Sequence, residues 1–130
     1  MRNFQQPGRS ASYADGAMIA TSHPAACDVG RDVLKRGGSA ADAVLAASAV
    51  LCVAEPQNAG LGGDSFYIHA STDGHVRAYN GSGRTPMGLC TEALPPVTRT
   101  HGHAVIVPGA VDSWGRLHEA HGRLPWDALL

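Results

Sequence analysis

Apolar residues recur at helical spacing in the first half of the chain and predict two helices of different kinds. The first is expected to begin at Ser22-His23-Pro24 and to end before Gly37, since serine is a good N-cap, proline fits the first turn and glycine favours a left-handed stop. One face is apolar and the other charged, so the helix is amphipathic and lies on a surface. The apolar positions are Ala26, Val29, Val33 and Leu34, and the charged ones are Asp28, Arg31, Asp32 and Lys35.

The second predicted helix is apolar on every side. Ser39 is its expected N-cap, and Asp42 stands in its first turn, where a negative charge suits the helix dipole. Residues 43–54 are apolar apart from Ser48. A helix of this kind needs cover all round, and we expect part of that cover to lie outside these 130 residues.

A glycine-rich stretch, residues 55–66, follows the second helix. Glu55-Pro56 ends the helix, and Gly60, Gly62 and Gly63 come within four positions. Glycine turns bind phosphate in some folds, but there a strand precedes the turn and a helix follows it, which is the reverse of the order predicted here. We therefore interpret the stretch as a structural turn whose glycines allow close packing of layers.

Beyond residue 64 the pattern predicts strands, connectors and further helices. Residues 65–70 and 75–80 are expected to form a hairpin around the turn Asp73-Gly74. Shorter strands are predicted at residues 17–21 and 103–107. A helix is predicted at about 110–121, because apolar positions recur on one side and Gly122 follows; another is expected to begin at Leu124.

Length and charge limit the function classes. The 130 residues suffice for one domain, and 10 basic against 11 acidic residues leave no electrostatic footprint for nucleic acid or an anionic membrane. Residues 1–16 predict an N-terminal arm without the apolar core of a secretory signal. Three cysteines without a metal-type spacing favour reduced thiols. We expect a soluble cytoplasmic protein whose partners are small molecules or other protein surfaces.

The residues that carry chemistry indicate ligand binding more than catalysis. The pairs His101 with His103 and His118 with His121 lack the spacing of a zinc site, and no serine or cysteine stands in a nucleophile motif. Neither a metal nor another cofactor is therefore expected. Arg84 ends the glycine-flanked run 80–84 and suits a bidentate contact with a carboxylate. The alternative is a loop arginine paired with a nearby acid.

Five short blocks are more specific together than any one of them alone. They are Ala20-Thr21-Ser22-His23-Pro24, Gly37-Gly38-Ser39-Ala40-Ala41-Asp42-Ala43, Glu55-Pro56 with Gly60-Leu61-Gly62-Gly63-Asp64-Ser65-Phe66, Val107-Pro108-Gly109 with Trp114, and Gly122-Arg123-Leu124-Pro125-Trp126. In this order they resemble the N-terminal part of the large subunit of the gamma-glutamyltransferase (gamma-glutamyltranspeptidase) family. The resemblance runs from about Ala17 to Leu130.

The resemblance implies an α/β (α+β) fold, the αββα sandwich of the N-terminal nucleophile hydrolases, which is incomplete in this chain. It implies that residues 17–130 are a segment of a gamma-glutamyltransferase-like domain, truncated at its C-terminus. In this family a precursor cuts itself into two subunits, and the threonine so exposed attacks a gamma-glutamyl amide, forms an acyl-enzyme and passes the acyl group to water or an amino acid. The implied partners are the rest of the large subunit and the small subunit. Because that threonine belongs to sequence downstream of Leu130, the isolated chain is expected to be inactive.

The resemblance also draws attention to Ser82 and Arg84 as candidate substrate-binding residues. The family grips the substrate carboxylate with the arginine of an Asp-X-Arg-Glu-X-Ala-Pro block. Counted back from Pro86, that arginine position falls on Ser82, and Arg84 stands two residues later. This pattern is similar to the transpeptidase-like and acylase-like branch, so both a gamma-glutamyl and a related amide substrate stay open. The alternatives to an enzyme fragment are a non-catalytic remnant and a small ligand-binding α/β module.

Overall fold

The computed structural model describes residues 11–90, 92, 94, 96, 98 and 101–130. The first ten residues of the predicted arm and part of the connector before residue 101 lie outside this description. The elements are α1 (Pro24–Lys35), α2 (Ala40–Ala54), β1 (Phe66–Ala70), β2 (Val76–Asn80) and α3 (Ala110–His121), with 3₁₀ turns at Gly102–Ala104 and Trp126–Ala128. The first two predicted helices, the helix predicted at about 110–121 and the hairpin are confirmed to within about one residue.

The N-cap of helix α1 lies one residue later than predicted. The N-cap is His23, whose ring nitrogen Nδ1 accepts a hydrogen bond from the Ala25 N–H at 3.2 Å, so the prediction of Ser22 as the cap was wrong. The imidazole nitrogen satisfies a free amide of the first turn as a serine oxygen would. At the other end Gly37 has a φ of 86° and makes the predicted left-handed stop.

Helix α2 is the central element and packs on both sides. One core lies between α1 and α2, and the other lies between α2 and α3 with the hairpin beside it. Buried residues of the first core are Val33, Ala43, Ala46 and Leu129, and those of the second are Ala41, Leu45, Trp114 and Leu117. A helix that faces two cores has to be apolar around most of its circumference, which explains the pattern of α2.

Only the first half of α2 is enclosed by the described residues. Residues 41–43 and 45–47 are buried and Val44 is half-buried, whereas the remaining turns are partly exposed and Val53 is 83% exposed. The outer face of the hairpin is also apolar and open, with Phe66 61% and Ile68 79% exposed. These exposed apolar surfaces agree with the expectation that part of the cover of α2 lies outside these 130 residues. Within the described ranges, no helix combines the length and the hydropathy needed to cross a bilayer.

The two strands pair antiparallel, from Phe66 opposite Asn80 to Ala70 opposite Val76. Gly74 in the turn has a φ of 87°, and the Asp73 carboxylate accepts hydrogen bonds from the Ser71 hydroxyl and the His75 N–H. Alternation along the strands turns Tyr67 towards the helices. The hairpin is thus one half-covered layer.

Two predicted strands and one predicted helix are absent from the described residues. Residues 17–21 have no strand partner; instead the Thr21 N–H and hydroxyl lie 3.2 Å from the Cys27 sulfur. Residues 103–107 form no strand, because a 3₁₀ turn capped by His101 takes their first half. The helix expected from Leu124 is a single 3₁₀ turn. β-propensity is expressed only where a neighbouring strand takes the backbone hydrogen bonds.

The carboxylate of Asp42 joins the start of α2 to the segment after α3. It completes a capping box with Ser39, and the same oxygen, Oδ2, accepts the backbone N–H groups of Arg123 at 3.0 Å and Leu124 at 3.1 Å. The residue is fully buried. Burial favours the protonated form, but these hydrogen bonds outweigh it and hold the pKa of Asp42 below its usual value.

We predict that Asp42→Asn lowers the free energy of unfolding by about 2–4 kcal/mol, because an amide loses the charge-assisted bonds and buries an NH2 group. Asp32→Asn, which alters an exposed ion pair with Lys35, should change it by less than about 1 kcal/mol. Since the folded pKa of Asp42 is depressed, its contribution is present above about pH 4 and is lost as the pH falls further. Urea unfolding of both variants from pH 3 to 7 measures this. Equal midpoints for the wild type and Asp42→Asn at pH 7 would contradict the assignment.

Candidate functional site

A pocket of about 430 Å³ opens beside the exit of β2 and contains both predicted substrate-binding residues. One wall is the turn 80–85, which carries Ser82 and Arg84; the other is the run Val107-Pro108-Gly109, with Met87 and Asp112 at the margins. The volume is within the range of small-molecule sites. Sequence reasoning singled out this turn, and the structure adds its opposite wall.

Backbone hydrogen bonds hold the turn between two neighbours. The Gly81 N–H donates to the Ser65 carbonyl at 2.8 Å, which extends the hairpin by one pair, and the Arg84 carbonyl accepts the Val107 N–H at 3.0 Å. Between these anchors the Ser82 N–H donates to the Asn80 side-chain oxygen at 2.9 Å. The wall is therefore a fixed turn, although its side chains are exposed.

Glycine is required where the two walls touch. A Cβ on Gly83 would lie 1.4 Å from the Val107 carbonyl oxygen, and one on Gly109 would lie 2.4 Å from the Gly81 oxygen. By contrast, a Cβ on Gly60 or Gly62 would meet nothing within 4 Å. The prediction that the glycines of the 55–66 stretch allow close packing was therefore wrong for these two, whose surroundings in the described chain are open. The close packing occurs at the pocket instead.

Arg84 is exposed at the pocket and takes part in none of the ion pairs formed among the described residues. The acid closest in the pocket lining is Asp112, and its carboxylate is engaged by Arg116 at 2.9 Å. The described residues therefore do not contain the ion pair between Arg84 and a nearby acid that was the alternative interpretation. An unpaired guanidinium at a pocket leaves its hydrogen-bond donors available to an anion.

Behind the turn, against Gly81 and outside the pocket lining, lies a group of small residues that sequence reasoning missed. The hydroxyls of Ser65 and Ser113 lie 2.5 Å apart, and Ser113, which is buried, donates to the Ala110 carbonyl at 2.8 Å. The Gly63 carbonyl accepts the N–H groups of both Gly109 and Ala110. The glycine stretch thus presents a carbonyl to the start of α3, which is the opposite of an anion cradle. The sequence did contain one indication of this group. Residues 60–66 and Val107-Pro108-Gly109 belong to two of the five family blocks, and the structure brings these two blocks into contact.

The histidines have structural partners. His118 Nε2 donates to the Leu124 carbonyl at 2.8 Å, and His121 Nε2 lies 2.7 Å from the Tyr79 hydroxyl, with its ring stacked on His69 at 3.6 Å between centroids. No group of three or more potential metal ligands occurs among the residues that the structure describes. The contact of His121 with the hairpin holds α3 against β2, below the pocket turn.

The overall architecture matches crystal structures of one class of enzymes. The chain aligns with cephalosporin acylase from Bacillus halodurans at a TM-score of 0.85 and 38% identity, over 98% of this chain and 25% of that one. With gamma-glutamyltranspeptidase of Helicobacter pylori the TM-score is 0.84 at 23% identity, over 92% of this chain and 37% of that one, which speaks for the fold alone. The α/β fold is therefore that of the gamma-glutamyltranspeptidase type of N-terminal nucleophile hydrolase.

Sequence comparison identifies the family. The gamma-glutamyltranspeptidase family model matches residues 26–130, and the chain belongs to this family, as the five blocks predicted. It is 40% identical over 115 residues to the glutathione hydrolase-like YwrD proenzyme of Bacillus subtilis, which covers 82% of this chain and 21% of that protein. It is 35% identical over 137 residues to human glutathione hydrolase 5 proenzyme, covering 99% of this chain and 23% of that protein. The chain thus spans about a fifth of the length of these curated relatives.

We predict that Gly83→Ala destabilises the chain by about 1–3 kcal/mol, because the added methyl forces the two pocket walls apart. Gly88→Ala is the matched control, since a Cβ there meets nothing within 4 Å, and it should be neutral or stabilising by up to about 1 kcal/mol. Urea unfolding compares the two. A Gly83→Ala protein as stable as the Gly88→Ala protein would disprove the close contact.

The His121 contact predicts a second dependence on pH. Burial, followed by the positive neighbours His69 and Arg77, lowers the pKa of His121. The unfolded chain therefore binds the proton more readily, and stability present above about pH 6.5 is lost as the pH falls below that value. His121→Asn should flatten the fall of the urea midpoint between pH 7.5 and 5, whereas His75→Asn in the exposed hairpin turn should leave it as in the wild type. An unchanged slope in His121→Asn would refute this.

Proposed function

We propose that this chain forms the N-terminal part of the large subunit of a gamma-glutamyltransferase-family enzyme, which cleaves a gamma-glutamyl or related amide through an acyl-enzyme. Family membership over residues 26–130 supports the assignment. The word proenzyme in the names of the Bacillus and human relatives supports synthesis as a precursor. Residues 17–130 would be a segment of the catalytic domain, and its partners would be the remainder of the large subunit and the small subunit.

One observation carries the substrate assignment: Arg84 is an unpaired, exposed cation among the described residues, at a pocket of small-molecule size. The human relative is named a glutathione hydrolase and the Bacillus relative glutathione hydrolase-like, and the glutamyl group of glutathione bears a free carboxylate beside its amine. A guanidinium binds such a carboxylate through two parallel hydrogen bonds. In the proposed complex Arg84 makes this contact, and the Ser82 hydroxyl donates a further hydrogen bond from the same wall.

The reaction itself would use groups supplied by the rest of the enzyme. In the family mechanism the hydroxyl of an N-terminal threonine attacks the amide carbon, and the adjacent terminal amine takes up its proton and delivers it to the departing amine. Water or an amino acid then attacks the resulting ester and releases the acyl group. The contribution of this chain is to hold the carboxylate end so that the amide lies at the nucleophile, which lowers the entropic part of the barrier.

A related acyl substrate is the second candidate, and the likeness to cephalosporin acylase at 38% identity favours it. Both substrates are amides, and a carboxylate on the acyl chain would suit Arg84 in either case. A pair of substrates separates them: a gamma-glutamyl anilide, which keeps the alpha-amino group, and the corresponding glutaryl anilide, which lacks it. The ratio of the kcat/KM values for the two anilides measures which substrate the enzyme prefers.

The test is a chimera in which residues 26–130 replace the matching segment of the Bacillus subtilis YwrD proenzyme. We expect this protein to cleave itself into two subunits and to hydrolyse at least one of the two anilides, while the isolated 130-residue chain shows no activity. A chimera that stays unprocessed and inactive would count against the proposal and for the non-catalytic alternatives. Self-cleavage is read on a denaturing gel, and turnover from the released aniline.

In the active chimera, Arg84→Ala should raise KM for the anilide by about tenfold to a hundredfold, since a charge-assisted hydrogen-bonded contact is worth about 1.5–3 kcal/mol. The kcat should change much less, because the carboxylate is bound equally in the ground state and the transition state. Arg31→Ala, an exposed arginine of α1 paired with Asp28, is the control and should leave KM unchanged. The same KM for Arg84→Ala as for the control would remove Arg84 from the site.

A further inference from the structure

Asn80 is the last residue of β2, and its backbone is fixed by pairing with Phe66. Its side-chain oxygen extends past the strand end and accepts the Ser82 N–H at 2.9 Å. This is an Asx turn, in which the asparagine side chain imitates a backbone turn and redirects the chain. The hydrogen bond therefore determines how the chain leaves the sheet and enters the pocket wall.

Two residues of the turn lie between its backbone anchors, and this hydrogen bond restrains the first of them. Gly81 is anchored through its N–H to Ser65, and Arg84 through its carbonyl to Val107. Between these anchors lie Ser82 and Gly83, and a glycine has the widest choice of backbone angles. No other hydrogen bond of the described chain fixes Ser82, so the Asn80 side chain is what selects its orientation.

The side chain of Asn80 contributes little to the free energy of unfolding. Its side chain is exposed, as is Ser82, so water replaces the hydrogen bond when the side chain is removed, and no buried polar group is left without a partner. The family block carries an aspartate at this position and its arginine at that of Ser82, whereas here a neutral asparagine offers the same acceptor and adds no negative charge to the turn that carries Arg84. A neutral acceptor holds the turn and leaves Arg84 unneutralised.

We infer that Asn80 is a positioning residue for substrate binding: its side chain shapes the 80–84 turn so that Arg84 presents its guanidinium to the pocket. The inference rests on the proposed function, because it assumes that Arg84 receives a substrate carboxylate. Asn80 touches no substrate in this scheme and acts only through Arg84. Its removal should therefore weaken the same contact that Arg84→Ala removes, and nothing else.

The experiment is a double-mutant cycle in the active chimera, with the anilide that the wild-type chimera prefers. Asn80→Ala should raise KM about threefold to tenfold with kcat within about twofold, as expected for one misdirected hydrogen-bonded contact. Asn80→Ser, which keeps a neutral acceptor for an equivalent turn, should restore most of the affinity. The double variant Asn80→Ala with Arg84→Ala should bind no more weakly than Arg84→Ala alone. Asn58→Ala, at another exposed loop asparagine, is the matched control.

The outcomes separate this inference from the proposed function. If Arg84→Ala leaves KM unchanged, the proposed carboxylate contact is wrong. If Arg84→Ala raises KM but Asn80→Ala does not, or if the two increases multiply in the double variant, Asn80 does not act through Arg84 and the inference is overturned. If Asn80→Ala prevents self-cleavage, Asn80→Asp decides: it keeps the turn, and its charge should raise KM at low salt and less so at high salt. An unchanged KM at low salt would then refute the inference.

Discussion

The buried carboxylate of Asp42 is the interaction on which the arrangement of this chain depends. An ionised group with no solvent exposure is tolerated only when hydrogen bonds replace its water, and here the N–H groups of Ser39, Arg123 and Leu124 do so on a single oxygen. One of these donors belongs to the cap of α2, and the other two follow α3. Two segments more than 80 residues apart are thereby joined. The side chain of Leu124, whose own N–H is one of these donors, packs against the first core.

Fixing the segment after α3 also fixes α3 itself, which connects this interaction to the pocket. The far end of the same helix begins at Gly109, whose N–H and that of Ala110 meet the Gly63 carbonyl. Gly109 also forms part of the wall that faces the Ser82 turn. A rigid helix of three turns, held at its C-terminal end by Asp42 and at its N-terminal end by Gly63, thus sets the distance between the two walls of the site. The tight glycines 83 and 109 follow from this distance, because there is no room for a Cβ between the walls.

The sequence pattern was sufficient for elements whose signals are local, and insufficient for those that depend on a neighbour. The capping box of α2, the stop at Gly37, the hairpin and α3 all follow from residues close in sequence. The predicted strands at 17–21 and 103–107 have β-propensity but no strand partner in the described chain. The N-cap of α1 is His23, and not the predicted Ser22. In the site, Arg84 was predicted from the loop itself and Ser82 from the family resemblance. Ser113, Gly63 and the opposite wall were not predicted, because their roles arise from contacts more than 20 residues away in sequence.

The shift of the arginine from the family position at Ser82 to Arg84 is compatible with the geometry of the turn. Ser82 and Arg84 both line the same pocket. Gly83, at the position between them, faces the Val107 backbone, where no side chain fits. Within this turn, the alternatives for a cation are therefore the two positions on either side of Gly83. The same constraint that makes residue 83 a glycine limits where an arginine can stand in this turn, and this chain carries Arg84 at the second of the two positions.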